Sequence, residues 1–409
     1  VKKYLALTLG VLTAIGGFVD IGDIVTNAEA GARFGLGLTW VVVLGVIGIC
    51  AYAEMSGRIV AATGRPVYDV IRERLGPRAA LFNLIASFIV TLLTLAAQIG
   101  GVAVAIQLAS GIPHVVWVAP VAIGLWILMW RVKFEKIERI LGLAGLTIAV
   151  FAVSIWWLDP DWSALSGQVM SITPPPGEPV PTYLYYAVTL FAAAMTPYEV
   201  FFFSSGGVEE RWTVKQLGIQ RANVLIGFPL GGLLSLGIAA AAAVAILPLG
   251  MEVETLGQVV LPIGLAFGLA GMIVVLFGFF TVMVGAAFET AMSCGYMLAQ
   301  YFGWQWGKRK QPKRAARFHA VVAGSVLLAF LIVQTGVDPV MITEVSLIGS
   351  AVALPLTYLP VLIVANDRQY LGDHVNGRFG NAVGLVTLLV VLIAAVAAIP
   401  LMIATGMGA

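Results

Sequence analysis

Eleven runs of about 20 apolar residues, at approximately 5–32, 37–62, 79–109, 114–130, 140–158, 183–212, 219–248, 259–302, 316–334, 339–366 and 381–406, constrain this chain more than any motif does. A run of that length crosses the roughly 30 Å hydrocarbon core as a helix. Inside a bilayer the backbone has no water to bond to, so a chain patterned this way folds as a helical bundle. Composition agrees: 60% of residues are hydrophobic and 11% charged, against about 25% charged in soluble domains. The expected class is an all-α polytopic membrane protein forming one transmembrane domain over residues 1–409.

The small net charge of +2 conceals a strong asymmetry. If the amino terminus is cytoplasmic, 22 of the 23 lysines and arginines fall on the cytoplasmic side: Lys2, Lys3, Arg58, Arg65, Arg72, Arg74, Arg78, Arg131, Lys133, Lys136, Arg139, Arg211, Lys215, Arg221, the cluster from Lys308 to Arg317, Arg368 and Arg378. Only Arg33 falls outside, where the loops instead carry Asp159, Asp161, Glu178, Glu252, Glu254 and Asp338. The positive-inside rule then fixes both orientation and span count, since one span more or fewer would scramble the pattern. A multi-pass plasma-membrane protein is expected. The basic loop near Lys308 reads as topology and lipid-headgroup contact, and not as nucleic-acid binding. Lys2-Lys3 before an apolar run mimics a signal peptide, but Asp20 and Asp23 argue against cleavage. Val1 as the first residue leaves room for an upstream segment.

Two polar interruptions break the apolar pattern, Asp20-Ile21-Gly22-Asp23 in span one and Thr196-Pro197-Tyr198-Glu199 in span six. A carboxylate at a helix centre costs roughly 2.5 to 3.5 kcal/mol to insert, so three of them cost on the order of 10 kcal/mol unless a cation compensates. Gly22 predicts unwinding in the first tetrad, and Pro197 deprives its turn of a hydrogen bond in the second. Unwound, the two segments offer Asp20, Asp23, the hydroxyls of Thr196 and Tyr198, Glu199 and free carbonyls. All are hard oxygen donors, which suit Mg²⁺ first and then Mn²⁺ or Ca²⁺. The rival readings are proton relay, or capping of a second half-helix starting near Ile24. Met195 reads as packing, and so do Cys50 and Cys294, which lack metal-ligand spacing.

Among the other acids, Glu54 is placed to pair with Arg58 at i+4, and Glu29 to pair with Arg33 or to attract cations at the outer mouth. Glu289 and Glu344 have no visible partner, and Glu344, on the span that closes the second repeat, is a candidate to approach the site between the two tetrads. His114, His319 and His374 lie at span ends or in loops, and no His-Glu-x-x-His run occurs, so neither an enzyme nor a resident cofactor is expected. The two acidic tetrads lead corresponding sets of five spans, repeat one over about 1–158 and repeat two over about 183–366, with an extra helix at 381–406. Because five is odd, the two copies would enter the membrane with opposite orientations.

Asp20-Ile21-Gly22-Asp23, followed by Ala30-Gly31-Ala32-Arg33-Phe34-Gly35, is similar to the Asp-Pro-Gly-Asn segment of the Nramp family of divalent-metal transporters, whose sixth span carries Met-Pro-His. Gln98-Ile99-Gly100 through Gly111-Ile112-Pro113, and Asp367-Arg368 with Leu371-Gly372 and Val375-Asn376, extend the resemblance over most of the chain. The resemblance implies a LeuT-like fold of eleven transmembrane helices in a 5+5 inverted repeat, with helices 1 and 6 broken. It also places a metal site at Asp20, Asp23, Thr196, Tyr198 and Glu199. Asp23 stands at the family's asparagine, Thr196 at its methionine and Tyr198 at its histidine, which makes the site harder and more acidic. In this the chain looks like the Nramp-related magnesium transporter branch, which carries Mg²⁺ and Mn²⁺. The family's proton-coupling positions appear as Thr94, Gln98 and Tyr198, none of which relays a proton readily. The expectation is import of Mg²⁺, and also Mn²⁺, by alternating access without proton coupling, in a protein whose partners are the metal substrate and lipid, with a monomer favoured. The alternatives are a proton-coupled Mn²⁺ or Fe²⁺ importer and a membrane metal sensor that moves nothing.

Overall fold

A computed structural model describes residues 18–132 and 134–408. Lys2, Lys3, Lys133 and the start of span one lie outside the described residues. The first half contains α1 (Ile21–Phe34), α2 (Thr39–Thr63), α3 (Val67–Leu75), α4 (Pro77–Ser110), α5 (His114–Arg131) and α6 (Phe134–Gly145). A tight helical turn, Leu146–Ala149, carries α6 into α7 (Val150–Trp157), and α8 (Trp162–Val169) follows. The second half contains α9 (Val180–Ala193), α10 (Pro197–Glu209), α11 (Leu217–Ala245), α12 (Leu256–Val259), α13 (Leu261–Phe302), α14 (Ala316–Gln334), α15 (Pro339–Ala365), α16 (Arg368–Leu371) and α17 (Arg378–Ala404). Among the described residues ten stretches are long and apolar enough to cross a membrane, and they coincide with expected spans two to eleven. The largest boundary difference is at the seventh, which begins at Val214 and not at 219.

The helix ends follow from local chemistry. Pro77, Pro197 and Pro339 open helices at positions where no N–H is needed. Gly64, Gly111 and Gly303 close them in the left-handed conformation, with φ of 67°, 73° and 68°. Asp161, Asp338 and Asp367 accept backbone N–H bonds from first turns.

Helices α1, α9 and α10 form the middle of the bundle. α1 rests against α11 and α9, while α10 is held between α2 and α13. α4 lies along α13, α14 and α15, and α17 covers α15 and α9 from outside. The apolar faces of the outer helices, such as Leu385, Val386, Leu389 and Ile393 on α17, point away from the protein, as a lipid-facing surface requires. The window of the broken sixth span is 94% buried. At Gly31 a Cβ would run into the backbone carbonyl of Ala239, so the absence of a side chain lets α1 lie directly on α11. Gly268, at φ 59°, kinks the long α13.

The two ends of the bundle differ in charge and in closure. At the basic end the buried Arg58 donates to the His374 carbonyl at 2.7 Å, to Glu54 at 3.0 Å and to Asn376, while Arg221 reaches Glu54 at 2.9 Å. Arg74 bonds Asp367 and Arg72 bonds the Tyr301 carbonyl. These bonds tie α2, α3, α11, α13 and the segment before α17 together. The acidic end instead encloses a cavity of about 270 Å³ lined by Glu29, Arg33, Asp338 and Glu344 among others.

Candidate functional site

The first interruption is a true helix break. Phe18 is helical, Val19 and Asp20 are not, and α1 restarts at Ile21. Asp20 is extended, with φ −116° and ψ −171°, and its Oδ1 accepts from the N–H groups of Gly22 at 2.7 Å and Asp23 at 3.2 Å. The unwinding therefore falls before Gly22 and not at it. A capping carboxylate satisfies the first free N–H groups and allows the helix to resume at once. The capping expected near Ile24 occurs three residues earlier and is done by Asp20. Gly22 is needed for space, since a Cβ there would lie 3.0 Å from Asp20 Oδ1 and 3.2 Å from Leu347 Cδ2.

The second break covers Ala194, Met195 and Thr196, and α10 restarts at Pro197. Thr196 takes the capping position without using its side chain to cap. Its Oγ1 is buried without a hydrogen-bond partner. The Met195 sulfur lies against Gly48 of α2, which has no side chain to exclude it.

The breaks meet through Tyr198, whose hydroxyl donates to Asp20 Oδ2 at 3.1 Å. Asp23 Oδ1 accepts from Ser235 Oγ of α11 at 3.3 Å and from Asn27 Nδ2 at 3.4 Å. Gln98 Oε1 of α4 accepts the Ile21 N–H at 3.4 Å. Asp23 Oδ2, Glu199 Oε2, Gln98 Nε2 and Asn27 Oδ1 are buried with no partner. Asp20 and Asp23 are each 2% exposed, Thr196 3%, Tyr198 1% and Glu199 6%. Glu199 lies within electrostatic reach of Asp20, Asp23 and Glu289. Among the described residues no Lys, Arg or His forms an ion pair with Asp20, Asp23 or Glu199.

Three buried carboxylates without a cation are expensive at membrane depth. Their remaining oxygens, with the free hydroxyl of Thr196, form a donor set of hard oxygens suited to a partly hydrated divalent ion. Yet among the described residues no three His, Cys, Asp or Glu side chains converge tightly enough to hold a metal ion by themselves. The physical reason is visible in the bonding: Tyr198 holds Asp20, while Ser235 and Asn27 hold Asp23. Each acid is thus stabilised separately, one oxygen at a time. Of the expected coupling positions, Thr94 is tied to Ser346 of α15 at 2.7 Å and to the Val90 carbonyl at 3.0 Å, while Gln98 touches the first break. Asn27 and Ser235 were not anticipated. Asn27 was detectable as the i+4 neighbour of Asp23, and Ser235 as a lone hydroxyl in an apolar helix.

A multi-pass bundle whose two central helices break at buried acids, and touch each other there, defines a membrane transporter and not an enzyme. The family model described as Natural resistance-associated macrophage protein-like matches residues 10–400. The chain belongs to the Nramp family. It is 24% identical over 412 residues to the divalent metal cation transporter MntH of Klebsiella pneumoniae, covering 96% of this chain and 93% of that one. Among solved structures, the manganese transporter of Eremococcus coleocola superposes with a TM-score of 0.74 at 18% identity, covering 98% of this chain and 87% of the other. Mhp1, a nucleobase-cation-symport-1 family transporter, superposes at 0.59 and 16% identity, covering 96% and 91%. These likenesses establish the shared fold.

Proposed function

We propose that the chain is a facilitative divalent-metal transporter of the plasma membrane that imports Mg²⁺, and also Mn²⁺, by alternating access and without obligatory proton coupling. The carrying observation is the buried Asp20, Asp23 and Glu199 set, which has no Lys, Arg or His ion-pair partner among the described residues and leaves Asp23 Oδ2, Glu199 Oε2 and Thr196 Oγ1 unpartnered. Hard oxygens favour Mg²⁺, which dehydrates reluctantly and would keep several waters. In this reading the ion lies between the two breaks, held by Asp20, Asp23, Thr196 and Glu199, with Tyr198 lining the site. The acidic end faces outward, and the two inverted repeats rock around the ion. Thr94 is engaged by Ser346 and Gln98 does not titrate, so neither offers a proton path. An electrical potential supplies the drive, about 4.6 kcal/mol per 100 mV for a dication, twice the unit-charge value.

A second reading, a proton-coupled manganese importer, is favoured by the names of the relatives. Proteoliposome uptake of Mg²⁺, Mn²⁺ and Ca²⁺ by wild type and Glu199→Ala separates the two. Mg²⁺ entry that competes with Mn²⁺, vanishes in Glu199→Ala and leaves luminal pH unchanged supports the first. Mn²⁺ entry indifferent to excess Mg²⁺, with luminal acidification, supports the second.

A further inference from the structure

The spacing of Glu29 and Arg33 suggests a simple i,i+4 pair, but the arginine is engaged elsewhere. Its Nε bonds Glu178 at 3.1 Å, its Nη1 lies 3.7 Å from Glu252, and Nη1 also donates to the Gly408 carbonyl at 2.5 Å. Glu29 consequently lines the 270 Å³ cavity with only 6% of its surface exposed and with no hydrogen bond or ion pair among the described residues. Glu344, facing the same cavity from α15, is likewise unpaired among the described residues. An unpartnered carboxylate buried as deeply as Glu29 and lining a cavity points to a positively charged ligand. Asp338, Glu252 and Glu254 line the same cavity. Two acids held in one half-buried cavity, with their natural arginine drawn away, form a site that attracts positive charge and gives it oxygen donors.

We propose that Glu29 and Glu344 form a second, outer site that takes a hydrated divalent cation before it reaches the centre of the membrane. The proposal rests on the transport reading above. Six waters at about 30 Å³ each occupy roughly 180 Å³, so the cavity admits Mg²⁺ with its whole hydration shell. No dehydration is required at this stage, which suits an ion that gives up water slowly. Glu29 lies six residues beyond Asp23 on the same helix, a separation along the axis of about 9 Å. An ion at the outer site would therefore sit close enough to be passed inward as the cavity closes.

The test is Mg²⁺ binding by calorimetry on the full chain in detergent, combined with Mg²⁺ uptake in proteoliposomes. Wild type is expected to show two binding events and Glu29→Gln/Glu344→Gln only one, with an uptake KM raised at least fivefold. The variant Asp23→Asn/Glu199→Gln is expected to keep the outer event and to lose the inner one. Both events surviving in Glu29→Gln/Glu344→Gln, or an unchanged KM, overturns the outer site. Should that double variant not elute as a single species, Glu344→Gln alone must weaken the outer event fivefold, and an unweakened event overturns the proposal equally. Failure of the transport reading has a different signature: two binding events in wild type with no time-dependent luminal metal.

Discussion

Tyr198→Phe is expected to tighten metal binding, although it deletes a polar group from the site. The hydroxyl donates to Asp20 Oδ2 at 3.1 Å in a pocket where both residues are almost wholly buried. A hydrogen bond to a charged acceptor is worth about 1.5 to 3 kcal/mol, and here it stabilises the metal-free protein. When an ion takes Asp20 Oδ2, that bond must be given up. Phenylalanine removes it from the metal-free state alone, so the difference passes into the affinity: roughly a 10- to 100-fold lower Kd, at tenfold per 1.4 kcal/mol. The same variant should unfold at a lower temperature without metal and regain the loss as Mg²⁺ is added, through mass action. Calorimetric titration of Mg²⁺ and thermal unfolding with and without metal measure both effects. Weaker binding in Tyr198→Phe would refute the reasoning, because it would mean that the hydroxyl stays with the metal or orients Asp20 for it.

Three further outcomes follow from the geometry. Thr196→Met places a sulfur beside the acids and should raise the Mn²⁺ to Mg²⁺ uptake ratio about tenfold, soft donors favouring transition metals; an unchanged ratio in competition assays would count against a metal contact at this residue. Gly31→Val drives a side chain into the Ala239 backbone and should abolish a monodisperse elution peak, whereas Gly124→Ala, which meets nothing within 4 Å, should leave it intact. Finally, the hydrogen bond from Arg74 holds the Asp367 carboxyl below its ordinary value, and hydrogen bonds from Arg65 and then Tyr370 do the same for Glu73. Lowered carboxyl values contribute stability that is present above the ordinary range near pH 4 and lost as pH falls through the depressed values. Amide protection across 367–374, corrected for intrinsic exchange, should therefore stay constant from about pH 8 to 5 and fall only below pH 4.

The spans were legible because lipid imposes one rule on every residue of a crossing helix, and the ten described crossings begin and end close to where hydropathy puts them. Helix breaks at both tetrads were legible for a similar reason, since proline and buried acids are tolerated there only under local compensation. The fine position of the first break was not. Glycine suggested it, but Asp20 decided it by bonding Gly22 and Asp23. Partners that arrive from distant helices were equally hidden: Ser235 reaches Asp23 across more than 200 residues of chain. The Glu29–Arg33 spacing suggested a bond that Glu178 and Glu252 capture instead. Periodicity reports what one helix offers, and only packing determines which offer is accepted.

The arginine ties around Arg58 give the basic end a property of their own. Two of them are ion pairs on Glu54, which is 20% exposed and is shared by Arg58 and by Arg221 at 50%, so mobile ions compete with these pairs over a Debye length of about 8 Å at physiological salt. In the proposed cycle, opening this end requires those ties to part, which would make that step salt-sensitive. Turnover should therefore quicken with the ionic strength of the compartment that receives the cargo, even where the driving gradient is unchanged.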